Sequence, residues 1–266
     1  MEALPLNLLQ VQDGLSTRRL AAKFHYFKEL DSTNSYAWRL ADKGAPEGEV
    51  VISEYQANGR GRLGRSWVSP PYLNLYFSVI LRPNLAPTDA PQLTLMTAVA
   101  LADTIGAFVP KPALIKWPND ILLEDKKVAG VLAESSCSST RIEFVILGIG
   151  INVNFARESM PDSIRQRATS LLDAAGHAIG REDLLRRLIQ DLDRCYGILE
   201  EDGFSPIAAR WKSRFGLQGH RVRVNMIDQS FSGEAIGIDR DGALLVKTND
   251  GTVARVIAGD VVPGED

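Results

Sequence analysis

The chain has 266 residues, 45% of them hydrophobic and 24% charged. That size fits one large domain, or one domain with a small companion, and supplies enough apolar residues for a sizeable core. A formal net charge of −3 excludes polyanion binding by bulk charge, so any contact to phosphate or nucleic acid has to come from local clusters.

Residues 1–23 read as a lead-in. Met1 to Val11 carries Glu2 and a short apolar run broken by Pro5 and Asn7, without the small-residue cleavage site of a secretory signal. Helical turns are expected over Gly14–Lys23, too short for a helix-turn-helix domain. No apolar run in the chain approaches the roughly 20 residues that span a membrane. Phe24–Leu30 reads as a strand. Asp31-Ser32-Thr33-Asn34 supplies cap-forming residues for a helix closed by Gly44, with Ala37, Leu40 and Ala41 inward. The same hydroxyls and amide, at a strand-to-helix junction, equally suit a polar small molecule.

A strand-like run, Glu49–Ser53, precedes Tyr55-Gln56 and then Gly59-Arg60-Gly61-Arg62-Leu63-Gly64-Arg65-Ser66-Trp67. Glycine lets backbone approach a ligand closely, and arginine forks suit phosphate and carboxylate. A flexible solvated loop is the plain alternative, but pinning between strands favours a lid over a phosphate-bearing ligand. No Gly-Lys-Ser/Thr ends the loop and no helix opens after it, so it is neither a Walker A loop nor a dinucleotide fingerprint.

Leu73–Leu81 alternates as a strand, Pro83–Pro91 is a loop, and Gln92–Phe108 has the apolar spacing of a buried helix. Leu114–Leu123 places Lys116-Trp117-Pro118-Asn119-Asp120 between apolar strand residues. A strand lysine commonly snorkels to the surface, yet the turn directly after Lys116 marks a strand end, where sites collect. Glu124–Lys127 is a hairpin tip and Val128–Glu134 a returning strand in which Gly130 allows a close approach. A polar turn over Ser135–Thr140 leads to an apolar strand, Ile142–Val153, and a sheet edge near residues 142–154 offers a place for two chains to pair. Cys137 and Cys195, the only cysteines, have no metal spacing and read as reduced thiols of a cytoplasmic protein.

Loop and short helix are expected over Phe155–Leu172, then amphipathic helices at Arg181–Glu201 and Ile207–Phe215. Near Gly216–Gly219 the texture changes to short alternating strands, Arg221–Ile227, Ser230–Ile238, Ala243–Thr248 and Thr252–Ile257, with hairpin turns at Asp241-Gly242 and Asp250-Gly251. These divide the chain into 1–217 and a small SH3-like barrel over 218–266. The three histidines are scattered, and no metal site is expected.

Taken in order, Asp31-Ser32-Thr33-Asn34, Tyr55-Gln56, the 59–67 loop, Lys116–Asp120, Lys127–Leu132 and Gly148-Ile149-Gly150-Ile151-Asn152 resemble the biotin protein ligases. The resemblance implies an α+β fold, a mixed sheet flanked by helices with the C-terminal barrel. It implies ATP-dependent formation of biotinyl-5′-AMP with Mg²⁺, then transfer to a lysine of a biotin carrier protein. By motif, Ser32, Thr33, Asn34, Gln56 and Gly130 would contact biotin. Gly59, Arg60, Gly61 and Arg62 would cover its carboxylate, and Lys116 would hold carboxylate and α-phosphate. Arg62, Arg65, Trp67, Lys116, Asn119 and Asn152 would meet the nucleotide, and Lys116, Arg62 and Arg60 would carry catalysis. The bifunctional members' DNA-binding domain has no counterpart here, which implies the monofunctional type. A lipoate ligase or octanoyltransferase is the alternative of related fold. A nucleic-acid-binding module using Arg60, Arg62 and Arg65 is the alternative of another class, disfavoured by the acidic balance.

Overall fold

The computed structural model describes residues 4–226 and 229–264. Among them the first part of the chain runs α1 (Leu8–Gln12), β1 (Lys23–Phe27), α2 (Thr33–Asp42), β2 (Glu49–Ser53), β3 (Leu75–Leu81), α3 (Ala90–Phe108), β4 (Leu114–Lys116), β5 (Asp120–Leu123), β6 (Lys126–Cys137), β7 (Ile142–Ile151), α4 (Asp162–Arg165), α5 (Leu171–Ala175), α6 (Arg181–Asp202) and α7 (Phe204–Lys212). The lead-in differs from expectation. Its helix lies at Leu8–Gln12, where the Asn7 side chain accepts from the Leu9 and Gln10 amides. Residues 14–23 stay non-helical because Asp193 of α6 accepts the backbone amides of Arg18, Arg19 and Leu20. A long-range carboxylate has taken the donors that a local helix would use.

β1 to β7 form one mixed sheet in the order β1-β2-β3-β7-β6-β5-β4, with β1–β2 parallel and the other neighbours antiparallel. β7 lies between β3 and β6, so both its edges are hydrogen-bonded. The expected pairing of two chains near that strand therefore cannot use β7 itself. Helices α3, α6 and α7 cover one face, where Phe77, Leu93, Met96, Leu101, Leu188, Tyr196 and Trp211 are buried in a common core. Burying each such side chain contributes ~1.5–3 kcal/mol. On the opposite face α2 packs Ala37 and Ala41 against Val51, Ile80, Phe144 and Ile146. β3 is thereby buried on both sides rather than half-exposed. α2 covers only part of that face.

The remaining strands, β8 (Arg221–Asn225), β9 (Ser230–Ile238), β10 (Leu244–Thr248), β11 (Val253–Val256) and β12 (Asp260–Pro263), make an antiparallel SH3-like domain in the order β11-β10-β9-β8-β12. The last strand, unrecognised in the sequence, pairs with β8. Ile227, expected to end the first strand, lies outside the described residues. Gly242 and Gly251, at φ +90° and +86°, make the two Asp-Gly turns. The barrel docks through Trp117, whose buried indole donates to the Gly242 carbonyl at 3.1 Å.

Behind Gln56 sits a buried ion pair. Arg181 of α6 donates to Glu54 at 2.6 Å, and the two side chains are 7% and 1% exposed. Glu54 also accepts from the Leu6 amide and the Tyr26 hydroxyl, so one carboxylate joins lead-in, β1 and α6. Replacing Arg181 by Ala strands that charge, and the expected loss is ~3–5 kcal/mol of unfolding free energy. Urea denaturation measures it, and a loss below about 1 kcal/mol refutes the assignment.

Candidate functional site

Strand register sets the floor of the site. Lys116 pairs with Asp120, Asp120 with Gly130, and Gly130 with Gly150, a row across four strands on the face opposite α3. In the next row Leu132 pairs with Gly148, and Gly148 with Ser78. Side chains there would fill the space above the sheet. A Cβ on Gly148 would lie 2.0 Å from Asn34 Oδ1, and one on Gly150 would lie 2.6 Å from the Trp67 ring. Glycine is required at both positions by close approach alone.

The polar wall comes from the start of α2. Ser32 occupies the N-cap position, yet its hydroxyl makes no capping bond. Its side chain lines the cavity, and its carbonyl accepts from the Tyr36 amide at the start of the helix. Thr33 donates its amide and hydroxyl to Gln56 Oε1 at 2.9 and 3.2 Å, and Gln56 Nε2 donates to Ser69. Asn34 donates to the Leu132 carbonyl and to Glu134, while its Oδ1 accepts from the Ser78 hydroxyl at 2.6 Å. Ser32, Thr33 and Asn34 are all buried. The wall carries no net charge of its own and presents fixed donors and acceptors.

The glycine-arginine segment folds over this floor as a lid. It closes on itself through Trp67 N–H to Gly59 O at 2.8 Å and Gly61 N–H to Arg65 O at 2.7 Å. A side chain at Gly59 would collide with the Trp67 carbonyl at 2.5 Å, which fixes Gly59 as the tight base of the lid. The Trp67 indole lies over Gly150, with Lys127 Nζ 5.2 Å from its ring centre in a cation–π arrangement. Arg60 pairs with Glu134 at 2.8 Å. Arg62 donates to Asn119 Oδ1 and the Gly259 carbonyl, and Arg65 to Asp260 at 2.5 Å. Beneath the lid remains a cavity of about 50 Å³, lined by Thr33, Asn34, Gln56, Arg62, Trp67 and Gly130 among others, with room for only a few water molecules.

Cations gather at the rim. Burial pushes the Arg62 guanidinium below its ordinary value, against the pull of Asp120 and Asp260. Burial also opposes the charge of Asp260, but the Arg65 hydrogen bond and the nearby Lys116, Arg65 and Arg62 outweigh it and hold the carboxyl below its usual range. Its partner contact is therefore complete above the ordinary aspartate value near ~3.9 and is lost only as pH falls through the lower folded one.

Most residues expected at the site meet here. Ser32, Thr33, Asn34, Gln56, Arg60, Gly61, Arg62, Trp67, Asn119 and Gly130 line the cavity. Gly59 is the lid base, and Arg65 points to the barrel. Lys116 sits at the end of the floor row. Asn152 is not brought in: it is buried, and its amide donates to the Thr169 carbonyl, tying β7 to the segment before α5. The sequence reading missed Glu134, Ser78, Lys127 and Asp120. The last two stood inside quoted motifs and form an ion pair at 2.6 Å. Ser78 was visible as a polar residue in an apolar strand.

Residues 26–152 match the Biotin/lipoate A/B protein ligase family, and residues 219–263 match the Biotin protein ligase C terminal domain. The chain is 37% identical over 255 residues to the Bifunctional ligase/repressor BirA of Bacillus subtilis, covering 96% of this chain and 78% of that protein. It is also 37% identical over 222 residues to the Biotin--[acetyl-CoA-carboxylase] ligase of Paracoccus denitrificans, covering 82% and 91%. The solved biotin protein ligase from Aquifex aeolicus, in complex with biotin and ATP, superposes with a TM-score of 0.78 at 29% identity, covering 92% of this chain and all of that one.

Asp260→Asn removes the carboxylate that holds Arg65. In protein without added ligand, trypsin cleavage after Arg62 and Arg65 should quicken by about threefold, the scale of an exposed ion pair. An unchanged cleavage rate means that the barrel does not restrain the lid.

Proposed function

The chain belongs to the biotin protein ligase family, and from that premise we propose how its own residues carry the reaction. It is an ATP-dependent biotin ligase that modifies a carrier protein. The C-terminal domain match and the named relatives favour biotin over lipoate and over a nucleic-acid-binding role. The observation that carries the site assignment is the joining of two unlike regions. An uncharged hydrogen-bonding wall meets a rim where Lys116, Arg62 and Arg65 converge from a strand and a lid.

The wall suits the ureido ring of biotin, which is neutral and carries both donors and an acceptor. Ser32, Thr33, Asn34 and Gln56 take that ring, and Gly130 lets the ligand lie on bare backbone. The valerate carboxylate then points to the rim. A carboxylate and a triphosphate repel each other, so cations have to hold them together. Lys116 and Arg62 do this, with Arg60 and Gly61 closing the lid. A carboxylate oxygen attacks the α-phosphorus of ATP, and the bond to pyrophosphate breaks. Trp67, Arg65 and Asn119 meet the nucleotide. The carrier lysine, as free amine, then attacks the acyl carbon, an amide forms, and AMP leaves with the bonding pair. Asn152, at the end of β7, ties that strand to Thr169 and lies near the nucleotide.

Magnesium would enter with ATP, held mainly through phosphate oxygens and water. Among the described residues no three acidic, cysteine or histidine side chains stand together as a metal cage. We divide the chain at 217/218, between the return of the chain to β4 at Phe215 and the start of β8. Free Cys137 and Cys195 support a reducing, cytoplasmic setting, and no described helix is long and apolar enough to cross a membrane.

Incubation with ATP, biotin and a biotin carrier domain should add one biotinyl group to the carrier by mass. No mass gain sinks the reading. Lys116→Ala should slow biotin-dependent pyrophosphate release about 100- to 1000-fold with the circular dichroism spectrum unchanged; release at the wild-type rate removes Lys116 from the mechanism. Arg62→Gly should instead let the adenylate escape, seen as biotin on bystander proteins. Bystander labelling at the wild-type level contradicts that role.

A further inference from the structure

We propose that Glu134 is a positioning residue that couples closure of the lid to the order of the biotin-recognising wall. This rests on the reading that the cavity takes biotin. Glu134 stands on β6 beside Asn34, outside every motif that suggested the function. A single carboxylate oxygen, Oε2, accepts from two donors that the chain brings from far apart. Asn34 Nδ2, from a residue 100 positions earlier in the sequence, and Arg60 Nη2, from one 74 positions earlier, each lie 2.8 Å from it. A solvated strand glutamate would have no need of either.

The consequence follows from the rest of the network. Asn34 Oδ1 accepts from Ser78, whose hydroxyl also lies 2.8 Å from Thr33 Oγ1. Thr33 donates to Gln56, Gln56 to Ser69, and Ser69 to the Trp67 carbonyl at 3.1 Å. The chain of bonds thus begins on one arm of the lid, at Arg60, crosses the recognition wall, and ends on the other arm, at Trp67. Among the described residues, Glu134 is the charged link that joins this network to the lid. Its carboxylate accepts from the amide nitrogen of Asn34, so the amide oxygen faces Ser78 and the orientation of the whole wall is fixed. When Arg60 docks, it docks on a group already held by that wall. Ordering the wall around a ligand therefore lowers the entropy lost on closing the lid, and closing the lid tightens the wall by the same factor.

Glu134→Gln keeps an acceptor for Asn34 but loses the charge that attracts Arg60. With the intact chain, the expected result is a rise of about fivefold in both the KM for biotin and the rate of adenylate loss, the scale of one charge-assisted bond at a part-exposed site. The KM for ATP should rise less than that for biotin, because Glu134 and Arg60 belong to the wall side of the lid. Arg60→Ala should produce the same pair of changes, and adding Glu134→Gln to Arg60→Ala should change nothing further. Wild-type values in Glu134→Gln overturn the proposal. So do effects that multiply in the double variant, or a biotin defect that follows a lowered melting temperature and is absent from Arg60→Ala. If the wild-type protein forms no adenylate, the assignment of the cavity fails instead. If it does and Glu134→Gln matches it, only the coupling fails.

Discussion

The site depends on three places where the sheet has no side chains. Gly130, Gly148 and Gly150 expose backbone on the face that α2 leaves uncovered. Sheet faces normally fill such positions, and a Cβ at Gly148 or Gly150 would enter Asn34 or Trp67. Because the floor is bare, the first turn of α2 can lie low enough for Asn34 to reach both β6 and Ser78 of β3. For the same reason the lid can lay an indole flat on the sheet. A methyl group added at Gly148 would displace the start of α2, and one added at Gly150 would displace the lid indole. Packing therefore reaches the recognition chemistry directly, without any contact to ligand.

Charge is arranged around that floor rather than on it. The wall is neutral and buried, and the rim collects Lys116, Arg60, Arg62, Arg65 and Lys127. Among the described residues, each rim cation except Lys116 has a hydrogen-bond or ion-pair partner that suits its place. Lys127 is matched to Asp120, Arg60 to Glu134 and Arg65 to Asp260. These carboxylates keep mutual repulsion among the cations from forcing the rim apart. The barrel contributes to this balance, since Gly259 and Asp260 both accept from lid arginines. The C-terminal domain is thus joined to the reacting region as well as to Trp117.

Periodicity and turn chemistry made most of the sheet, the long helices and the barrel hairpins legible in the sequence. What local pattern missed had a non-local cause. The amides of residues 18–20 looked available for a helix, but Asp193 takes them. Ile142–Val153 looked like a free edge because strand order is not written in hydrophobicity alone. β12 was missed since four residues ending in proline carry little signal. At the site, glycines and arginines in a fixed order were readable because close approach and charge demand those residue types. Glu134 was not, since a glutamate at a strand position is ordinary until Arg60 and Asn34 arrive beside it. Asn152 shows the converse: a polar residue at a strand end can serve the backbone of a neighbouring segment.

The weakness of the individual lid contacts explains why this segment can gate a reaction. Its partners in the closed state are two part-buried carboxylates, one amide oxygen and one carbonyl, each worth roughly 0.2–1 kcal/mol. Together they hold the lid by about 1–3 kcal/mol, so the open form is populated at the level of a few per cent and a cavity of about 50 Å³ can still admit a ligand. Gly59, Gly61 and Gly64 add conformational entropy to the open form. A phosphate entering the rim would offer Arg62 a charge-assisted bond stronger than those to the amide oxygen and carbonyl it holds now, and would offer Arg65 a second anion. Arg60, by contrast, already has a carboxylate anchored to the wall. One arginine can then keep its partner while the others change theirs, which lets a loose lid become a closed one when the nucleotide is bound.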